Sequence, residues 1–160
     1  MSDTSGPITD AVFIDSPRDA RLKTLYDHWN ALRGERSMPA RSDFDPTAIP
    51  RLLPHIILYG VGDDGGYTVR LVGEEVVQFV GRNAAGGPAG HTMPPRAAQM
   101  LKAILDAVTG EGAPKFRAGK AHWHPDKGYR EFEACFLPLA AESERVNTVL
   151  GGVVFPDAAN

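Results

Sequence analysis

Tyr129-Arg130-Glu131-Phe132-Glu133-Ala134-Cys135-Phe136-Leu137-Pro138-Leu139 is the stretch whose reading decides the fold. Strand alternation puts Phe132, Ala134 and Phe136 on one side and Cys135, Leu137 and Leu139 on the other. A sheet with one wet face alternates apolar with polar residues, and this strand is apolar on both sides. Both faces of its sheet must therefore be covered. Turn chemistry bounds the run, with Pro125-Asp126-Lys127-Gly128 before it and Ala141 to Arg145 after it. The neighbouring runs, Lys115 to His124 and Val146 to Phe155, also read as strands, so the C-terminal part is a three-stranded meander.

Upstream, Ile56 to Val61 and Tyr67 to Val72 form a hairpin across Asp63-Asp64-Gly65-Gly66. Gly73 opens a short helix with Val76, Val77, Phe79 and Val80 as its apolar face. Residues 81–94 are rich in Gly, Ala and Pro and read as a loop. Ala97, Met100, Leu101, Ile104, Leu105 and Val108 then recur at helical spacing, which predicts a helix over 95–109. A first helix is predicted over 17–33, with Ser16 as N-cap, Pro17 at the first position and Gly34 as C-cap. Its stripe is Leu22, Leu25, Tyr26, Trp29 and Leu32. The prolines at 39, 46, 50 and 54 exclude a long helix from the segment that follows, although Asp45-Pro46 suits a short helical turn. The sum is an α+β fold: a five-stranded antiparallel sheet with helices on one face and an N-terminal amphipathic helix. That first helix is the natural cover for the sheet's second face, in the same chain or in a partner. Residues 1–16 read as a flexible N-terminal arm and 17–156 as one domain.

The 160 residues suit one domain with a proper core. Seventeen Lys and Arg are scattered among 20 Asp and Glu, for a net charge of -3, which argues against nucleic acid as a partner. The N-terminus lacks the basic start and apolar stretch of a signal peptide, and no apolar run approaches a bilayer span, so a cytoplasmic location without membrane insertion is expected. The single cysteine, Cys135, excludes an intrachain disulfide and reads as a buried, inert thiol.

Few motifs carry chemistry. Gly60-Val61-Gly62-Asp63-Asp64-Gly65 matches a dinucleotide fingerprint, but a strand follows it where a helix N-terminus is required. Its glycines serve the hairpin loop. His122 and His124 share one face of a strand. A two-residue loop at Asp126-Lys127 would set His122 opposite Glu131 and His124 opposite Tyr129, a set that reads as a solvated strand face and not as a metal site. His91 lies in a Gly-Pro loop. Paired acids at Asp63-Asp64, Glu74-Glu75 and Glu131/Glu133 show no apolar pocket to tune them, so neither a catalytic nor a metal-ligating residue is assigned.

Several segments together resemble the PAS family, and more narrowly a bacterial, alphaproteobacterial-type subfamily of single-domain PAS proteins. They are Tyr26-Asp27-His28-Trp29 through Leu32-Arg33-Gly34, Met38-Pro39-Ala40-Arg41, Asp45-Pro46 and Ile49-Pro50-Arg51-Leu52-Leu53-Pro54-His55. The series continues with Arg70-Leu71-Val72-Gly73, Gly81-Arg82, Phe132-Glu133, Leu137-Pro138-Leu139 and Leu150-Gly151-Gly152-Val153-Val154-Phe155. The resemblance implies a sensory or regulatory module in signal transduction and carries no catalytic residue. His91 is not on a helix, where some PAS proteins place a haem ligand, and Cys135 is on a late strand, unlike the helical cysteine of light-sensing PAS domains. No cofactor is therefore expected. The small, flexible loop Asn83 to His91 lies where PAS proteins often hold cofactors, which also speaks against a tightly held one.

Three functions follow as expectations. The first is a regulatory module that passes its output to another protein, since the chain stops after the last strand. Its working face would be Leu22, Leu25, Tyr26, Trp29 and Leu32, in a homodimer or against a protein partner. The second is a sensor that binds a small apolar ligand in a cavity lined by Phe79, Met100, Ile104, Trp123 and Phe132. The third is a small α+β enzyme with a cone-shaped cavity and convergent polar groups.

Overall fold

The computed structural model describes residues 10–121, 130–141 and 145–156. They run β1 (Asp10–Ile14), α1 (Ala20–Arg33), β2 (Ile56–Val61), β3 (Tyr67–Val72), α2 (Glu74–Val80), α3 (Pro95–Glu111), β4 (Lys115–Ala121), β5 (Arg130–Ala140) and β6 (Val146–Val154). Three 3-10 turns, Arg41–Asp43, Pro46–Ala48 and Leu53–His55, bridge α1 and β2. Asp45 caps the second of them by accepting from the Thr47 amide.

The strands form one antiparallel sheet in the order β1-β4-β5-β6-β2-β3. It has six strands where five were expected. The added one is β1, which pairs with β4 from Asp10↔Lys120 to Ile14↔Phe116. Residues 10–14, read as part of a flexible arm, thus close an edge of β4 that would otherwise be left unpaired. Helix α1 also begins later than expected. Asp19, not Ser16, is its N-cap and accepts from the Arg21 amide at 2.8 Å. The entry to the helix is fixed from the sheet: buried Glu133 of β5 accepts from the Arg18 amide at 2.6 Å and the Asp19 amide at 3.1 Å. A carboxylate there also complements the positive end of the helix dipole.

The alternation of β5 holds as read. Phe132, Ala134 and Phe136 join one core with α2 and α3, whereas Cys135, Leu137 and Leu139 join a second core with α1. The second face is covered by the same chain. Leu22, Leu25 and Trp29 are only 1–2% exposed against Ile56, Leu58 and Leu150. Burying each contributes about 2 kcal/mol. The approach is close enough that a Cβ on Gly152 would stand 2.7 Å from Leu25 Cδ2. Trp29 Nε1 completes the contact by donating to the Pro138 carbonyl at 2.9 Å.

Candidate functional site

The first core is not filled. An apolar cavity of about 100 Å³ lies between the sheet and α2, the loop 81–94 and the start of α3. The sheet supplies Ile57, Tyr59, Val69, Phe132, Ala134, Phe136 and Val153, and the helices supply Val76, Phe79, Val80 and Leu101. The loop contributes Arg82, Ala84, Gly90, Thr92 and Met93. It holds its place through β3: the Val69 amide donates to Gly87, Gly86 donates to Val69, and Ala89 donates to Tyr67. The loop was expected to be flexible, yet these bonds make residues 86–89 a continuation of the sheet edge. At one border, Phe79 stacks on Phe155 with ring centres 4.0 Å apart, and Arg130 lies 5.5 Å from both rings.

Two of the five expected lining residues, Phe79 and Phe132, do line the cavity. Ile104 is buried in the surrounding core but does not reach the space. Leu101 takes the place expected of its neighbour Met100, because α3 turns position 101 toward the sheet and leaves 100 half-buried. Trp123 lies outside the described residues. Sequence reading missed Tyr59, Arg117 and the loop side chains. Arg117 shares the inward parity of Ala134, its partner across β4 and β5. That parity becomes legible only once the register is known.

Arg117 is the cavity's charged group on the sheet side. Its guanidinium carbon sits 5.8 Å from the Phe132 ring centre and 5.9 Å from that of Phe136. Burial pulls its pKa below the ordinary arginine value. Burial likewise pushes the Tyr59 phenol above its ordinary value, a rise that nearby Arg117 opposes.

Other candidates resolve differently. The expected interaction face, Leu22, Leu25, Tyr26, Trp29 and Leu32, packs on the sheet of its own chain: the first, second and fourth are buried, and Tyr26 and Leu32 half-buried. A stripe that closes the second core cannot at the same time present itself to a partner. Gly60 to Gly65 is a hairpin, closed by the Gly62 amide donating to Gly66 at 2.7 Å, with Gly65 at φ 84°. Across β4 and β5, Lys120 and not His122 stands opposite Glu131, two positions from the pairing that a two-residue loop would give. His122, His124 and Tyr129 lie outside the described residues. Among the described residues no cluster of three His, Cys, Asp or Glu forms. His91 is exposed and its Nε2 lies 3.3 Å from the Ala84 carbonyl. Cys135 is on the α1 side of the sheet, away from the cavity, and burial pushes its thiol up to about 12. No helix among the described residues is long and apolar enough to cross a membrane.

No curated protein matches the sequence of this chain. Among solved structures, the chain is similar to an RNA-binding light-oxygen-voltage receptor at 11% identity and a TM-score of 0.51. That match covers 94% of this chain and 39% of the receptor. A light-oxygen-voltage domain studied with a flavin analogue gives 12% identity and a TM-score of 0.48, covering 68% of this chain and 82% of that one. The N-terminal domain of a Marinobacter aquaeolei diguanylate cyclase with a PAS/PAC sensor gives 12% and 0.43, covering 62% and 94%. The PAS domain family model matches residues 18–154, which takes in α1 and all of the cavity lining but Phe155, and the chain belongs to the PAS domain family.

Proposed function

We propose that this chain is a sensory module of a signalling pathway, and that its signal is a small, largely apolar ligand held in the cavity between the sheet and α2–α3. The cavity carries this reading. A well-packed core leaves few voids larger than a water molecule, whereas here α2, α3 and the tethered loop stand off the sheet around about 100 Å³ of apolar space. An engineered apolar cavity of about 150 Å³ stays dry and takes a benzene-sized guest. The module we have in mind spans residues 17–156, in the cytoplasm, and within its family it belongs with the short bacterial proteins that its sequence resembles. We assign it no reaction. An enzyme with a cone-shaped cavity needs convergent polar groups, and this lining is apolar apart from Arg82, Arg117, Tyr59 and Thr92.

Ala134→Leu tests the reading, because the added side chain fills the space from the sheet side. Thermal unfolding with and without 2-phenylethanol should show a stabilisation by the alcohol in the wild type that the variant loses. Equal stabilisation of both proteins would contradict a ligand in this cavity.

A second reading, contact with another copy of the chain, rests on β1. Among the described residues Val12 and Phe13 are the exposed large hydrophobics, at 61% and 65%, and β1 is an edge of the sheet. An open edge with apolar side chains is a template for strand pairing. The two readings are compatible, with the cavity taking the signal and the edge passing it on.

A further inference from the structure

An apolar ligand alone does not account for Arg117. Strand β4 holds this side chain on the helix-covered face, opposite Ala134, with its guanidinium among the rings of Phe132 and Phe136. The residue is half-buried, but its Nε is fully enclosed and among the described residues has no hydrogen-bond partner. Among the described residues it forms no ion pair. Nor do the described residues around it offer an acid. Among the described residues the cavity lining includes a second guanidinium, Arg82, and no Asp or Glu. On β5 the acids Glu131 and Glu133 share the opposite parity, and Glu133 is occupied by the Arg18 and Asp19 amides.

Ring faces attract a cation, but they offset only part of what its enclosed portion loses on leaving water. An orphaned donor inside an apolar cavity remains costly unless something arrives to accept from it. A guanidinium stays charged at neutral pH even where burial pulls its pKa down, and its planar fork matches a carboxylate. The space holds about one ring or a short acyl chain, as an engineered cavity of comparable size does.

We infer that the cavity takes a small apolar carboxylate, its carboxylate paired with Arg117 and its hydrocarbon part against Val76, Phe79 and Leu101. This inference rests on the cavity being a ligand site, and it supplies the chemical class of that ligand. Arg117 would read the head group and the helices the tail.

Calorimetric titration of the full chain at neutral pH separates the two claims. Benzoate, phenylacetate and hexanoate are each compared with the matching alcohol: benzyl alcohol, 2-phenylethanol and hexanol. At least one acid should bind about ten-fold or more tightly than its alcohol, the worth of one charge-assisted hydrogen bond. Arg117→Met should erase that preference while keeping alcohol binding, and Arg117→Lys should retain a weaker preference. Alcohols binding as well as acids to the wild type would overturn the carboxylate inference and leave the cavity reading standing, with no variant needed to see it. A preference that survives Arg117→Met would also overturn it. Failure of all six probes to bind would sink both.

Discussion

At the residue scale, the side chains that decide function and those that decide fold gave signals of different strength. Cys135 was legible: a lone cysteine in an apolar run, at a strand position paired with Leu137 and Leu139, had to be buried. It is fully enclosed beneath α1, and the Glu133 carboxylate nearby further disfavours a thiolate. Burial disfavours the charged form, so the thiol rises to about 12 and stays protonated through the physiological range. A disulfide reagent such as DTNB should therefore label the native protein at pH 8 only as fast as the α1 side opens. The denatured chain should react at once. Rapid labelling of the native protein, with a pH dependence centred near the ordinary thiol value, would contradict that placement. Arg117, in contrast, was not legible. An arginine in a strand is ordinarily solvated, and nothing local distinguishes one that turns inward. Its meaning comes from Ala134 across the ladder and from two phenyl rings on β5.

At the element scale, periodicity and punctuation fixed most of the helices and strands. The hairpin of β2 and β3, the Gly73 start of α2 and the apolar stripe of α3 stand where alternation, glycine and helical spacing put them. What failed was short or set by tertiary contact. β1 has five residues, too few for a pattern, and it exists because β4 offers an edge. The start of α1 moved from Ser16 to Asp19 because Glu133, far away in sequence, takes the amides that a local cap would have served. β1 also bears the prediction that belongs to this scale. If its edge joins two copies, sedimentation analysis should find a concentration-dependent dimer. Phe13→Lys should make it monomeric, since an edge lysine opposes strand pairing. A wild type that is monomeric at every concentration would remove the second reading and leave the cavity untouched.

At the scale of the whole molecule, the double-faced β5 was the most informative stretch, because it demanded cover on both sides before any helix was placed. The two covers differ in kind. On one face α1 packs directly, close enough for Gly152 to be required beneath Leu22 and Leu25. On the other, α2, α3 and the loop tied to β3 leave a cavity. Sequence alone could list apolar residues for that second core but not which of them enclose empty space, since a filled core and a lined cavity share one composition. Hence Phe79 and Phe132 were found, whereas Met100 gave way to Leu101 and Ile104 proved to be core. The asymmetry makes the functional claim a spatial one: a ligand belongs on the α2–α3 side and not between α1 and the sheet. Methyl-resolved NMR of the chain titrated with phenylacetate tests this most directly. The methyl signals of Val76, Leu101 and Val153 should shift with saturation, while those of Leu22, Leu25 and Leu150 stay in place. No saturable shift, or shifts confined to the second set, would contradict a ligand-sensing cavity.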